Sequence, residues 1–113
     1  RLSARYRKTG TAGQSTIKIY INTTNSLSGA TLIAANITAN TNLWILMERT
    51  YSLTGGLLYG YPFSSSVISD VTGAPVALSS MSLNPANNFY IIIAGQLGNS
   101  ADTITLDLFK ATN

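Results

Sequence analysis

"NLWILMERTY", residues 42–51, decides how this chain is read. Leu43, Trp44, Ile45, Leu46 and Met47 are apolar without a break. A strand in a small antiparallel protein ordinarily alternates, with apolar side chains to the core and polar ones to water. Successive strand residues take opposite faces, so Leu43, Ile45 and Met47 share one face and Trp44 and Leu46 the other. Glu48 and Arg49, two of the chain's few charges, follow on opposite faces. Both faces want cover, and the only tryptophan stands on the second. "NNFYIIIAGQ", residues 87–96, repeats the pattern, with Phe89, Ile91 and Ile93 on one face and Tyr90, Ile92 and Ala94 on the other.

The segments around these two read as further strands. "STIKIYI", residues 15–21, sets Ile17, Ile19 and Ile21 on one face and Lys18 and Tyr20 on the other. "DTITLDLFK", residues 102–110, is expected to turn Ile104, Leu106 and Leu108 inward and Thr103, Thr105 and Asp107 outward. Strands are also expected near residues 3–8, 30–35, 57–61, 66–70 and 75–79, besides 42–51 and 88–96. "ATLIAANI", residues 30–37, admits a short helix through its alanines and the spacing of Ile33 and Ile37, while Thr31, Ile33, Asn36 and Thr38 favour a strand. Gly, Asn and Pro clusters such as "TGG", "TGAP", "NPANN" and "GQLGNSAD" supply the turns between them. Neither a domain linker nor an internal repeat is present. Eight or so short strands in 113 residues predict an all-β domain, a small Greek-key antiparallel β-barrel or sandwich.

Such a domain offers no helices to cover the second apolar faces. Leaving Trp44, Leu46, Tyr90 and Ile92 in water forgoes about 1.5–3 kcal/mol each. Together that is on the order of the net stability of a domain. Either long loops fold back over these strands, or identical neighbours cover them in an oligomer.

Charged residues make up 10% of the chain, against roughly a quarter in ordinary soluble domains. Asn, Thr, Ser and Gly therefore supply the solubility. The net charge of +3 is concentrated at one end, because Arg1, Arg5, Arg7 and Lys8 fall in the first eight residues. The remaining three cations face four acids, so the rest of the chain is close to neutral. No phosphate-tracking groove follows from that distribution, and nucleic acid is not expected as a partner. Cysteine and histidine are both absent, which removes disulfides, thiolate metal sites and the commonest general base. No apolar run approaches the roughly 18 residues of a membrane span, and the amino end lacks a signal-peptide layout. The opening "RLSARYRK" reads as the cut end of a longer polypeptide. Residues 1–8 are expected to be the end of a neck or linker or the first strand, and residues 9–113 the domain proper.

The carboxylates are Glu48, Asp70, Asp102 and Asp107, and nothing in their spacing selects a catalytic pair or a metal site. Serines are plentiful, but no histidine completes a triad. The chain is therefore expected to be no enzyme and to hold no metal or cofactor. "NTT" at Asn22 and "NIT" at Asn36 match the glycosylation pattern, which chance supplies readily in an Asn/Thr-rich chain. Recognition remains. An aromatic ring packs on the C–H face of a pyranose while carboxylates, hydroxyls and Arg take its polar groups. Trp44, Glu48 and Thr50, at alternate positions of one strand face, can line such a groove, with Arg49 projecting the other way. "LLYGYPF", residues 57–63, offers a second cluster in Tyr59 and Tyr61, with Phe63 just beyond. Either cluster equally suits packing within the core.

Residues 4–42, "ARYRKTGTAGQSTIKIYINTTNSLSGATLIAANITANTN", and residues 87–113, "NNFYIIIAGQLGNSADTITLDLFKATN", resemble the carboxy-terminal head of the receptor-binding proteins on lactococcal siphophage baseplates. The resemblance implies a Greek-key β-barrel head, a homotrimer about a three-fold axis, and binding of host cell-wall saccharide near contacts between heads. It places the protein in the virion, at the tail or baseplate tip, joined to other baseplate proteins through an amino-terminal region. Sites in that family combine an aromatic ring with Asp, Arg or His, which points to Trp44, Arg49 and Asp70. The absence of histidine is a departure from the pattern. A trimerising decoration domain of a tail or capsid, without a ligand, is the alternative.

Overall fold

Ile17, Ile19 and Ile21, at alternate positions of Ser15–Asn22, give that segment one apolar face, and all three are buried. The fold is a computed structural model describing residues 1–39, 41–61, 69–70, 76–78 and 82–112. Among the described residues there are nine strands and no helix. In chain order they are β1 (Leu2–Thr9), β2 (Ser15–Asn22), β3 (Thr31–Thr38), β4 (Leu43–Arg49), β5 (Tyr51–Thr54), β6 (Leu57–Gly60), β7 (Val76–Ala77), β8 (Tyr90–Leu97) and β9 (Thr103–Ala111). They form three antiparallel sheets, ordered β4-β1-β9, β3-β2-β8 and β5-β6-β7.

The first two sheets share one core. Leu2, Ala4 and Tyr6 from β1 and Ile45 and Met47 from β4 join the β2 isoleucines and Ile33 and Ala34 of β3. A register shift in the β2–β3 ladder lets Ile33 and Ala34, although adjacent, both be buried. The Tyr6 hydroxyl donates to Asn36 Oδ1 from the facing sheet, so two buried polar groups satisfy each other. Burial drives the Tyr6 phenol well above its usual range. Gly55 and Gly56, at φ +60° and +80°, form the two-residue turn between β5 and β6, whose positive φ values suit glycine. On the inner side of this hairpin Tyr51 packs against Gly60, where a Cβ would come within 2.8 Å of the ring.

Several expectations are corrected. The sheets are not closed into a barrel: β8 and β9 end their respective sheets with no ladder between them. A groove of about 310 Å³ lies between those two edges, lined by Ile17, Ile93, Leu97, Ile104 and Leu106. The stretch 42–51 is not one strand, because Thr50 separates β4 of the first sheet from β5 of the third. Ser69 makes only an isolated bridge to Glu48, Asp70 lies outside any strand, and residues 66–68 fall outside the described set. Of residues 75–79, β7 comprises two, with Pro75 and Ser79 outside the described set. Phe89 precedes β8 and is exposed.

The expected inner face of 102–110 holds at Ile104 and at Leu106, which lies opposite buried Tyr6 at the open edge of the groove, and fails at Leu108, which lies opposite outward-facing Arg5. A bulge opposite Arg5 and Tyr6 leaves Asp107 without a partner across the ladder, so the facing changes along β9. Ile104 and Phe109 pack on the core, whereas Leu106 and Leu108 are exposed. "ATLIAANI" is strand, in β3. Residues 2–9 are the central strand of the first sheet, paired to β4 on one side and β9 on the other.

Candidate functional site

The outer face of the first sheet follows from its register. Alternation buries Leu2, Ala4, Tyr6 and Lys8 of β1 and sends Ser3, Arg5 and Arg7 outward. Alternation in β4 buries Ile45, Met47 and Arg49 and turns Trp44, Leu46 and Glu48 the other way. The β1 pairings set Arg7 opposite Trp44 and Arg5 between Leu46 and Leu108. Both guanidiniums lean over the indole, with Cζ atoms 5.0 Å (Arg5) and 5.7 Å (Arg7) from the ring centroid. Trp44 nevertheless remains 62% exposed, so one broad aromatic surface faces water. Arg7 is anchored by Asp107, at 3.1 Å, and Glu48 by Arg1, at 2.7 Å. The result is an indole flanked by two guanidiniums, on a face that also carries Glu48 and the exposed Leu46 and Leu108, with Asp107 holding Arg7.

The sequence-predicted residues fall into separate groups. Trp44 and Glu48 share this face, as expected. Thr50 does not continue it, since β4 ends at Arg49 and the Thr50 N–H donates to Asp70 Oδ2 at 2.7 Å. Arg49 is 1% exposed on the opposite face and is not presented to a ligand in solution. Its Nη2 donates to the Tyr61 carbonyl at 2.6 Å, and its Nε lies 3.0 Å from Asp70 Oδ1. Arg49, Tyr61 and Asp70 thus form one clamp, with the guanidinium carbon 5.8 Å from the Tyr61 ring centroid. The nearby Tyr51 phenol is pushed up to about 12, chiefly by burial, with Arg49 opposing and Asp70 adding to the shift. The Tyr51 hydroxyl donates to the Ile33 carbonyl at 3.2 Å. Tyr59 pairs with Ser52 in the third sheet, away from Trp44, and Phe63 lies outside the described residues.

Arg5 and Arg7 are the residues that sequence reasoning missed. Their signal was the alternation Leu2, Ala4, Tyr6 against Ser3, Arg5, Arg7, which marks a strand with a cationic outer face.

A second polar cluster lies at the end of β1. Lys8 and Asp102 have fully buried side chains, 3.2 Å apart, and Lys8 Nζ also donates to the Thr11 carbonyl. Asp102 accepts the Thr11 N–H at 2.6 Å and the Thr11 hydroxyl at 3.0 Å. The Thr11 N–H above all, then its hydroxyl and Lys8, hold the Asp102 carboxyl below its usual range despite burial. This cluster ties the β1–β2 turn to the β8–β9 turn. Every group in it has a partner, which suits a structural joint. Both sequon asparagines are buried: Asn22 donates to the Ser26 and Ser28 carbonyls, and Asn36 accepts from Tyr6. Neither is available for glycosylation in the folded chain. Among the described residues no group of carboxylates could hold a metal ion.

No protein-family model, curated protein or solved structure matches this chain. The chemistry of the Trp44 face therefore carries the functional argument.

Proposed function

We propose that the chain is a saccharide-binding adhesin head of a phage receptor-binding protein, assembled as a homotrimer and acting at the host cell surface. The observation that carries this reading is Trp44, a single tryptophan held 62% exposed on a flat sheet face among charged side chains. An indole left in water is a costly arrangement for folding alone and a serviceable platform for a pyranose ring. Each site binds weakly, and adhesion arises from many copies acting together. Assembly is supported by apolar surface that the chain's described residues leave open: Leu46, Leu106 and Leu108 are each more than 40% exposed, and an apolar groove runs between β8 and β9. The same leucines favour a second reading, a trimerising decoration domain of a tail or capsid without a ligand.

Titrating Trp44 fluorescence with host wall saccharide separates the two. Saturable quenching that disappears in Trp44→Ala, with the oligomer unchanged, supports the adhesin. A flat response at saccharide concentrations on the order of millimolar, where weak sites that act through avidity still bind, supports the decoration domain.

A further inference from the structure

Lys8 and Asp102 form an ion pair with both side chains wholly out of water, Nζ standing 3.2 Å from Oδ2. Each of the other three ion pairs keeps at least one partner in contact with water. Lys8 lies near the end of β1, and Asp102 directly precedes β9, the neighbour of β1 in the first sheet. Thr11 surrounds the pair with complementary groups: its N–H donates to Oδ1 at 2.6 Å, its hydroxyl to Oδ2 at 3.0 Å, and its carbonyl accepts from Lys8 Nζ. The turn backbone closes over the same carboxyl, since a Cβ at Gly10 would collide with Oδ1 and one at Gly13 would stand 3.1 Å from Oδ2. An ammonium and a carboxylate are thus held in contact and shielded from solvent.

We propose that Lys8 and Asp102 condense to an intramolecular amide that ties β1 to β9 covalently. Folding delivers the ion pair, and removal from water narrows the gap between that pair and its neutral form. A proton passes from Nζ to Oδ2, leaving an amine beside an acid. The Nζ lone pair then forms a bond to Asp102 Cγ while the carbonyl electron pair moves to Oδ1, where the Thr11 N–H holds the oxyanion. A second proton leaves Nζ for Oδ2, with the Thr11 hydroxyl as relay, and the Cγ–Oδ2 bond breaks to release water. One ammonium and one carboxylate give one amide and one water, and nothing is oxidised or reduced. The product keeps the present partners: its oxygen accepts the Thr11 N–H, and its single N–H donates to the Thr11 carbonyl. Between separate molecules in water such a condensation runs backwards, but a pair held in contact has an effective concentration of about 10⁵ M or more, which reverses the balance. Thr11 also holds the carboxyl ionised, so the neutral pair is scarce and the reaction slow. The chain has no cysteine, and this amide gives it the kind of covalent tie that a disulfide supplies elsewhere.

The test is the intact mass of the folded chain, measured by electrospray when freshly purified and after days at neutral pH, beside a sample held in urea. The expected result is a loss of one water that grows with time in the folded sample and is absent in urea. Trypsin should then yield the peptide Lys8–Lys18 joined to the peptide Thr50–Lys110, because an acylated Lys8 resists cleavage and the link reaches Asp102. Lys8→Arg should keep its full sequence mass. A folded parent that retains its full mass after incubation overturns the inference, whether or not the variant folds. So does a loss of water that leaves the two peptides unlinked, that proceeds equally in urea, or that persists in Lys8→Arg.

Discussion

Raising the pH should destabilise this protein through two tyrosines, one in the core and one packed against it. Tyr6 is buried, with its hydroxyl donating to Asn36, and Tyr51 is packed against Gly60, with its hydroxyl donating to the Ile33 carbonyl. Burial raises both phenols, Tyr51 to about 12. A tyrosine raised in the folded state favours folding fully below the unfolded value, near 10, and that contribution is lost as the pH climbs from there through the folded value. For Tyr51 the loss at about pH 11 is about 1.4 kcal/mol, since the unfolded phenol is then mostly ionised and the folded one mostly neutral. Tyr6 adds a loss of the same sign, bounded at that pH by about 1.4 kcal/mol because only the unfolded phenol ionises appreciably. Together they remove roughly 2–3 kcal/mol from a net stability on the order of 5–15 kcal/mol. Urea unfolding followed by circular dichroism at about pH 8 and about pH 11, beside phenolate absorbance, measures this loss. Tyr51→Phe and Tyr6→Phe should each lower stability at neutral pH and each flatten its decline with alkali. A double variant that loses as much stability between the two pH values as the parent would refute the reasoning.

Two other perturbations probe assembly and the buried ion pair. Ile92→Asp puts a charge on the outer face of β8 and tests the proposed trimer: on that proposal light scattering should report three chains for the parent and one for the variant, because a carboxylate would be buried unpaired at the interface; a trimeric variant would remove this face from assembly, and a monomeric parent would remove the proposal. Asp102→Asn should lower the melting temperature at neutral pH by leaving buried Lys8 without its counter-charge, and should also blunt the acid limb of stability. A depressed carboxyl contributes stability above its unfolded value, near 4, and loses it as the pH falls through the lower folded value, so equal acid sensitivity in parent and variant would assign that limb elsewhere.

Much of the fold was legible because period-two patterning is a local property. The β2 isoleucines, the opposite facing of Trp44 and Met47, and the core positions Ile91 and Ile93 all follow from alternation alone. What failed depends on distant pairings or on single inserted residues. The bulge in β9 comes from its ladder with β1, about a hundred residues away in sequence, and no local feature of "DTITLDLFK" announces that Leu108 faces outward. Thr50 looked like one more strand residue until the chain moved from the first sheet to the third. The sequence places Arg5 and Arg7 in the end of a neck or linker or in a first strand, with no sign of which strand it pairs with. Only the register of β1 against β4 brings them beside Trp44.

The placement of β1 also constrains how the chain can acquire its shape. Its ladder partners are β4 and β9, and β9 ends at Ala111, so the first sheet cannot be finished until a segment about a hundred residues downstream has been synthesised. Until then one edge of β1 stays unpaired. Joining β1 to β9 closes a loop of about a hundred residues, an entropic step that precedes any reward and slows folding. The nascent polypeptide therefore depends on the β2–β3 hairpin and its isoleucines for early order, while the first sheet is completed only after β9 has been made.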